Sequence, residues 1–367
     1  MDSIYIWQRK DWPDFSWDAA ELSYKLGRVR SLQGKLVGKM SALGFDLKNS
    51  AMLDALTADI TKSSEIEGEI LNAEQVRSSV ARHLGIEIEG LPEADRYVDG
   101  VVQVMMDATQ NYMQPLTEER LFNWHAALFP TGRSGMYKIT VANWRQGAEP
   151  MQVISGAMGK EKIHYQAPDS NHVADQMRLF FDWINGKQKI DPVLKAAVAH
   201  LWFVTIHPFD DGNGRISRTI TDLLLTRADE MPHRFYSMSA EIRKQRKGYY
   251  EILEKTQKGG LDITGWLQWF LNCLEAALLD TERAISIVLQ KAAFWNKHRF
   301  ISMNERQMKM VNLLWDGFDG KLTSTKWGKI TKCSPDSALR DIQDLITKGV
   351  LRKTDEGGRS TNYELAL

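Results

Sequence analysis

The stretch His207-Pro-Phe-Asp-Asp-Gly-Asn-Gly-Arg-Ile-Ser-Arg218 lies between two segments of helical character and predicts a helix–loop–helix unit. An apolar helix is expected over 193–206, and Pro208 disfavours its continuation. Apolar residues recur at helical spacing from Ile216 onward, so a second helix is expected to begin at 213–215. The loop between the two helices therefore lies at a helix N-terminus.

The composition of this loop is typical of an anion-binding site. Free N–H groups at a helix N-terminus favour a bound anion, and Gly212 and Gly214 permit close approach and positive backbone angles. Arg215 and Arg218 are three residues apart, so both guanidinium groups are expected on one face of the second helix. A polyphosphate fits this arrangement. The loop is not a P-loop, because no Gly-Lys-Ser/Thr follows the glycines.

Two further side chains give the loop candidate reactive groups. Asp211 supplies a hard carboxylate that suits a magnesium ion sharing phosphate oxygens. His207, with an unperturbed pKa of about 6.5, can accept a hydroxyl proton near neutrality. A zinc site from His200, His207 and the aspartates is an alternative, but this histidine spacing lacks the adjacent-turn geometry of zinc-binding helices. A solvated capping loop would explain Asn213 and the glycines, but not the convergent histidine, carboxylate and arginines.

The whole stretch is similar to the motif of the Fic family, His-x-Phe-x-Asp/Glu-Gly-Asn-Gly-Arg-x-x-Arg, and matches it at every fixed position. The resemblance implies a mainly α-helical protein with a Fic helical core and a β-hairpin flap. It also implies transfer of AMP from ATP to a hydroxyl group of a target protein, or of the chain itself. ATP is then the substrate, Mg²⁺ is held by Asp211, and His207 is the catalytic base.

The resemblance also assigns the nucleotide-binding residues. Arg215 is expected to steady the α- and β-phosphates, and Arg218 the γ-phosphate. The family often has asparagine at the position aligned with Gln257. The full set implied to bind the nucleotide is Asp211, Gly212, Asn213, Gly214, Arg215, Arg218, Ile163, His164, Tyr165, Tyr249, Tyr250 and Gln257.

A second motif occurs far upstream, in Ser63-Ser64-Glu65-Ile66-Glu67-Gly68-Glu69. Its composition alone indicates an acidic, solvated turn with a serine available to cap a helix. However, Ser63, Glu67 and Gly68 resemble the inhibitory motif of regulated Fic proteins, Ser/Thr-x-x-x-Glu-Gly/Asn. A glutamate placed on Arg218 would form a bidentate, charge-assisted pair and remove that arginine from phosphate binding. We therefore expect autoinhibition by Glu67.

The segments 151–155 and 162–166 flank a glycine-containing turn and predict a β-hairpin. In the Fic resemblance this hairpin is the flap. Its backbone edge would receive an extended target segment by strand addition and hold the target hydroxyl beside His207. The alternative for His164, within the second strand, is a second catalytic base.

The remaining chain is predicted to be mostly helical, with three domains. They are an N-terminal helical domain carrying the inhibitory motif (1–88), a Fic catalytic domain (89–295) and a winged helix-turn-helix domain (296–367). Further helices are predicted over 22–43, 51–63, 91–113, a segment capped at Thr117, 169–185, 274–293, 307–315, 327–330 and a segment beginning at Ser334.

The C-terminal segment resembles a winged helix-turn-helix, since the helix after Ser334 is followed by a strand over 350–353, a turn over 355–359 and a strand over 362–365. Residues 321–367 contain nine basic and six acidic side chains, a balance of only +3. DNA binding is therefore not favoured. A domain that positions a target or a second copy of the chain, as in a homodimer, is the alternative.

The composition indicates which compartment and which classes of partner to expect. The 47 basic and 47 acidic residues cancel, so no overall field recruits nucleic acid or an anionic membrane. The two cysteines, Cys273 and Cys333, are far apart and indicate a reducing compartment. The N-terminus has no export signal and no apolar run reaches membrane-spanning length, so a cytoplasmic location is expected.

Two other functions stay open at this stage. One is a DNA-binding regulator whose Fic-like body senses a nucleotide. The other is a Fic enzyme that transfers a different phosphate-containing group. Relatives that move a plain phosphate lack the second glycine and the second arginine, which are present here as Gly214 and Arg218.

Overall fold

The computed structural model describes residues 5–41, 44–88, 90, 92–156, 160, 162–315, 317–354 and 361–366. The chain is mainly α-helical, as predicted, and divides into two compact units, Met1–Thr281 and Glu282–Leu367. No helix among the described residues combines the length and apolar character needed to cross a membrane.

The first half of the first unit consists mainly of helices, several of which have side-chain caps at their N-termini. Thr117 caps its helix as predicted, and Asn72 and Asp95 cap two others through their side chains. The elements are a 3₁₀ turn (Ile6–Gln8), α1 (Ala19–Ser41), α2 (Phe45–Ile66), α3 (Ala73–Leu84), α4 (Arg96–Gln110) and α5 (Glu118–Leu128).

The acidic, solvated turn that composition alone suggests over 63–69 is wrong for Ser63 to Ile66, where α2 continues, but is present at Glu67 and Gly68, which form an exposed turn. Ser63 and Ser64 are 8% and 0% exposed. The Ser64 carbonyl accepts the backbone N–H groups of Glu67 and Glu69, at 3.1 and 3.0 Å, which closes the helix end. The stretch 63–69, named the inhibitory segment after its predicted role, therefore lies at the C-terminal end of α2.

The central helices of the first unit position the His207–Arg218 loop. They are α6 (Ser170–Asn185), α7 (Pro192–Ile206), α8 (Asn213–Asp229), α9 (Met238–Lys244) and α10 (Arg246–Gln257). The long helix α11 (Thr264–Lys297) begins in the first unit and ends in the second. In α7, every residue after Lys195 is buried, so this helix is apolar all round and lies in the core. It packs along α8, and the predicted helix–loop–helix unit is confirmed.

Two short antiparallel hairpins lie in the same unit. One pairs β1 (Arg133–Ser134) with β2 (Tyr137–Lys138). The other pairs β3 (Gln152–Ser155) with β4 (Lys162–Gln166), which confirms the predicted hairpin. Val153 pairs with Tyr165 and Ile154 with Ile163, so His164 is the extra residue of a β-bulge.

The second unit has its own core. It contains α12 (Glu305–Trp315), α13 (Ser324–Thr331), α14 (Pro335–Thr347) and the antiparallel pair β5 (Leu351–Lys353) and β6 (Tyr363–Leu365). Ser334 caps α14 through its side chain, as predicted. Trp327, Ile342 and Leu345 are fully buried in this core.

Some predicted features lie outside the described residues. These are the end of the first helix at Leu43, the start of another at Leu91, the turn residues 157–159 and 161 of the second hairpin, and the turn over 355–359.

Candidate active site

His207 stands at the end of α7 and faces a cavity. It is the C-cap residue, with a left-handed backbone (φ 51°, ψ 60°), and its N–H donates to the Phe203 carbonyl at 3.0 Å. Its ring Nδ1 lies 3.2 Å from the Val204 carbonyl oxygen, which can only accept, so Nδ1 carries the proton. Burial lowers the pKa of His207 to about 4. The ring is therefore neutral near pH 7, and Nε2 is available as a proton acceptor.

Asn213 closes the loop that follows. Its side-chain oxygen accepts the Phe209 N–H at 3.0 Å, and its amide nitrogen donates to the Phe209 carbonyl at 2.8 Å. Phe209 itself is fully buried and stacks on His125, with ring centres 4.1 Å apart. The Asn213 amide, implied by the resemblance to bind phosphate, is thus engaged in shaping the loop.

Asp211 and Asp210 both line the cavity, and both are held by neighbours. One carboxylate oxygen of Asp211 accepts the Gly212 N–H at 2.5 Å and the other accepts the Ser134 hydroxyl. Asp210 accepts the Thr140 N–H at 2.8 Å. Among the described residues no group of three metal-ligating side chains forms a complete site. One or two carboxylates nevertheless suffice for Mg²⁺, which takes its other ligands from water and substrate phosphates.

Arg218 is tied to the inhibitory segment through three nitrogens. Nη1 donates to Glu67 Oε1 at 2.8 Å, Nε to the Ser63 hydroxyl at 2.9 Å, and Nη2 to the Ser63 carbonyl at 2.9 Å. The arginine side chain is 2% exposed and that of Glu67 is 31% exposed. The expected pair is present, but it is a single contact and not a bidentate one, because Ser63 accepts from the other two nitrogens, Nε and Nη2.

Gly214 provides the space that Glu67 occupies. A Cβ atom added at residue 214 would lie 2.0 Å from Glu67 Oε1 and 2.9 Å from its carboxyl carbon. At Gly212 the backbone is left-handed (φ 83°), and a Cβ atom would lie 2.8 Å from the Phe129 ring. The two glycines thus serve different purposes, a close approach at 214 and a turn at 212.

Arg215 is held by a second carboxylate of the same segment. Its Nη1 donates to Glu69 Oε2 at 2.7 Å and to the Tyr97 hydroxyl at 2.8 Å, and Tyr97 also donates to Glu69. The guanidinium lies 4.9 Å from the centre of the Phe129 ring. Glu69 and Tyr97 were not among the predicted site residues. The sequence shows that Glu69 is acidic, but no pattern in it indicates that Glu69 pairs with Arg215.

The cavity has a volume of about 620 Å³ and gathers many of the predicted residues. Six predicted residues are not part of its lining: Gly212, Arg215, Arg218, Ile163, Ser63 and Gly68. The two arginines are absent from the lining because they point to the inhibitory segment. The predicted residues that line it are His207, Asp211, Asn213, Gly214, Glu67, His164, Tyr165, Tyr249, Tyr250 and Gln257.

The flap meets α10 through a chain of hydrogen bonds across the cavity mouth. His164 Nδ1 lies 2.6 Å from Glu254 Oε2, and its Nε2 lies 2.6 Å from the Ser155 hydroxyl. Ile163 is 44% exposed beside it. The predicted alternative for His164, a second base at the reacting atoms, receives no support from these partners, which connect it to the flap and α10.

The tyrosines and Gln257 of α10 make contacts away from the loop. Tyr249 is buried and its hydroxyl lies 2.8 Å from His200 Nε2. The Tyr250 hydroxyl lies 3.4 Å from Glu67 Oε2, and burial together with that charge raises the pKa of Tyr250 to about 12. Gln257 makes only long contacts, 3.5 Å to the Val204 carbonyl and 3.4 Å to the Thr205 hydroxyl.

Two residues that were not predicted from the sequence hold the backbone of the loop in place. Arg145, 4% exposed, donates from Nε to the His207 carbonyl at 2.8 Å and from Nη2 to the Pro168 carbonyl. His125 Nε2 donates to the Asp211 carbonyl at 3.1 Å. Burial lowers the pKa of His125 to about 4, so its ring is neutral. No local sequence pattern marks either residue, because each acts through backbone atoms distant in the chain.

Family models match two regions of the chain. Residues 115–225, which include the His207–Arg218 loop and the flap, match the Fic/DOC family. Residues 5–86, which include the inhibitory segment, match a domain of unknown function, DUF4172.

Curated relatives match parts of the chain. A protein adenylyltransferase Fic from Drosophila mojavensis is 25% identical over 233 residues, which are 62% of this chain and 41% of that protein. One from Aedes aegypti is 38% identical over 114 residues, 30% of this chain and 21% of that protein. The match thus spans less than half the length of these relatives.

Solved structures share the fold. A Fic family protein from Desulfovibrio desulfuricans G20 aligns with a TM-score of 0.55 and 19% identity, over 96% of this chain and 98% of that one. A Fic domain containing signaling protein from Bacteroides thetaiotaomicron aligns with a TM-score of 0.51 and 20% identity, over 69% and 93%. Residues 115–225, where a buried helix pair presents His207 and Gly214 to a cavity, therefore match the Fic/DOC family model, and the fold around them is shared with solved Fic proteins.

Proposed function

We propose that the chain is a protein adenylyltransferase, an enzyme that transfers AMP from ATP to a hydroxyl side chain of a target protein or of itself. One observation carries this proposal. A neutral His207, the Asp211 carboxylate and Gly214 line a single cavity of about 620 Å³, next to Arg215 and Arg218 in the sequence of the same loop and helix. The names of the curated relatives support the same chemistry.

In this reaction His207 accepts the proton of the attacking hydroxyl. The bond from Nδ1 to the Val204 carbonyl fixes the tautomer and leaves Nε2 as the acceptor. Its low pKa keeps the ring unprotonated throughout the neutral range. The hydroxyl oxygen attacks the α-phosphorus of ATP, and pyrophosphate leaves.

The loop provides position and charge. The backbone N–H groups at the start of α8 would hold the phosphates, as helix N-termini do for anions. Asp211, with Asp210 beside it, would hold Mg²⁺, which neutralises charge on the phosphates. Once released from their carboxylates, Arg215 and Arg218 would hold the α/β-phosphates and the γ-phosphate, respectively. Most of the rate acceleration then comes from positioning and electrostatic stabilisation.

The conformation described is proposed to be the autoinhibited state. Glu67 occupies Arg218, so the γ-phosphate loses its guanidinium and the α-phosphorus is turned from the in-line geometry. Glu69 engages Arg215 in the same way, two residues further along. The segment from Ser63 to Glu69 therefore restrains both arginines of the loop.

The target is proposed to dock on the flap. An extended segment carrying a tyrosine, threonine or serine would add to the edge of the β3–β4 hairpin, beside the exposed Ile154 and Ile163. The nucleotide base would lie between this hairpin and α10, near Tyr249, Tyr250 and Gln257. His164, anchored to Glu254, would form the wall between flap and base.

We propose that the chain has three domains, divided at 88/89 and 295/296, and that residues 296–367 form a winged helix-turn-helix. In α14, Asp341 is 6% exposed and bonded to Arg306 at 2.8 Å. This helix therefore keeps an acidic group in its packed face. We assign the domain to positioning a target or a second copy of the chain, with DNA binding as the alternative.

The test is the mass of the intact protein after incubation with ATP and Mg²⁺. The Glu67→Gly chain is expected to gain AMP, and the unsubstituted chain to gain little. Parallel incubations with UTP, GTP and CDP-choline measure the choice of nucleotide. The assignment would be refuted if neither the Glu67→Gly chain nor any protein of a cell extract incubated with it gained the mass of AMP.

A further inference from the structure

Arg246, the first residue of α10, lies at the edge of the active-site cavity and has unused donors. Its Nε donates to the Ile66 carbonyl at 2.7 Å, and its guanidinium lies 5.2 Å from the centre of the Tyr250 ring. Among the described residues, no hydrogen-bond or ion-pair partner engages Nη1 or Nη2. One atom thus anchors the side chain, and two nitrogens remain available to a ligand.

The restrained cavity is otherwise poor in cations. Arg215 and Arg218 are turned towards Glu69 and Glu67 and do not line it. Of the lysines and arginines in the described part of the chain, Arg246 alone contributes to the lining. A triphosphate in such a cavity requires a cationic donor, and a guanidinium with two open NH₂ groups is suited to phosphate oxygens.

Contacts along α10 indicate which end of the cavity Arg246 serves. Its anchor, the Ile66 carbonyl, directly precedes Glu67. One turn later, the Tyr250 hydroxyl lies 3.4 Å from Glu67. A further turn along, Glu254 contacts the flap through His164 at 2.6 Å. Arg246 therefore lies at the end where Glu67 holds Arg218, away from the flap.

We propose that Arg246 binds the terminal phosphates of the nucleotide while Glu67 still occupies Arg218. This inference rests on the proposed function, which places the γ-phosphate at that end of the cavity. The Nε bond to Ile66 need not break, because Nη1 and Nη2 are the atoms that contact phosphate. The restrained chain thus holds ATP through Arg246, and Arg218 takes over the terminal phosphate once Glu67 leaves.

The test is calorimetric binding of two nucleotides to the full chain. One is an ATP analogue with a methylene bridge between the α- and β-phosphates, which cannot be cleaved there, and the other is AMP. Arg246→Ala is expected to weaken binding of the analogue about tenfold, as the loss of a charged contact to phosphate does, and to leave AMP within about twofold. In the Glu67→Gly chain the same change is expected to cost about threefold or less, because Arg218 is available.

Lys247→Ala is the matched control. Lys247 is the adjacent cation, its side chain is 90% exposed, and it pairs with Glu251 at 3.6 Å outside the cavity lining. Its removal is expected to change neither affinity. Equal binding of the analogue by the Arg246→Ala and unsubstituted chains would overturn the inference, as would an equal loss for AMP. If the unsubstituted and Glu67→Gly chains bind neither nucleotide, the proposed function itself fails.

Discussion

Replacing Glu67 with glutamine would separate the charge of the inhibitory side chain from its shape. Glutamine keeps an oxygen that can accept from Arg218 Nη1, now 2.8 Å away, but removes the negative charge. Ser63 continues to accept from Nε and Nη2, so Arg218 is not left without partners. The loss is therefore the charge-assisted part of one hydrogen bond.

The side chain of Glu67 is about a third exposed, which reduces this contribution to about 1–2 kcal/mol. A difference of that size changes the population of free Arg218 by about 5- to 30-fold. We expect AMP incorporation from radiolabelled ATP to rise by a similar factor in Glu67→Gln. We also expect the free energy of unfolding, measured in urea, to fall by about 1–2 kcal/mol.

The matched control is Glu65→Gln. Glu65 lies on the same helix and pairs with Lys62 at 2.6 Å and Arg243 at 3.4 Å, but it does not line the cavity. It should not raise AMP incorporation. A Glu67→Gln chain as inactive as the parent, alongside an active Glu67→Gly chain, would show that the shape and hydrogen bond of the side chain, and not its charge, govern the restraint.

Three further substitutions and one pH profile test the neighbouring residues. His207→Ala in the Glu67→Gly chain should lower AMP transfer by about a hundredfold or more, with an unchanged melting temperature; near-normal transfer would rule out its role as base. With the pKa of His207 near 4, transfer by the Glu67→Gly chain should stay level from pH 8 to 6 and decline only as pH falls towards that pKa and the ring protonates; an acid limb centred at pH 6.5 would contradict this. Glu69→Gln should release Arg215 and raise transfer a few-fold further in the Glu67→Gly chain, and a decrease would mean that Glu69 supports the working site. Arg145→Lys cannot bridge two carbonyls as the guanidinium does, so kcat should fall and the free energy of unfolding should drop by about 1–3 kcal/mol, whereas unchanged values of both would refute a positioning role.

The helices and loop of the motif could be predicted because their determinants are local. Pro208 disfavours helical geometry at His207, so α7 ends at Ile206. The spacing of apolar residues after Asn213 predicts where α8 begins. The hairpin around His164 follows equally from alternating residues on either side of a glycine-containing turn. The pairing of Glu67 with Arg218 required more, because these residues are 151 positions apart and only the resemblance connected them.

The contacts that sequence reasoning missed are distant and directional. Glu69 and Arg215 are 146 positions apart, and no pattern in either segment indicates the other. Arg145 comes from an irregular segment and acts on carbonyl oxygens, which every residue has. The prediction of a solvated turn over 63–69 holds at Glu67 and Gly68 but fails at Ser63, because Arg218 donates to both the hydroxyl and the carbonyl of that serine and so keeps it buried.

The absence of a side chain at residue 214 has a consequence for how such a protein can change over time. A methyl group there would overlap the Glu67 carboxylate, and it would also narrow the place proposed for the phosphates. The Glu67 carboxylate and the proposed phosphates both lie against residue 214. A larger residue there would therefore displace Glu67 but would also impair nucleotide binding. A lineage that becomes permanently active is therefore expected to change Glu67 itself or the end of α2 that precedes it.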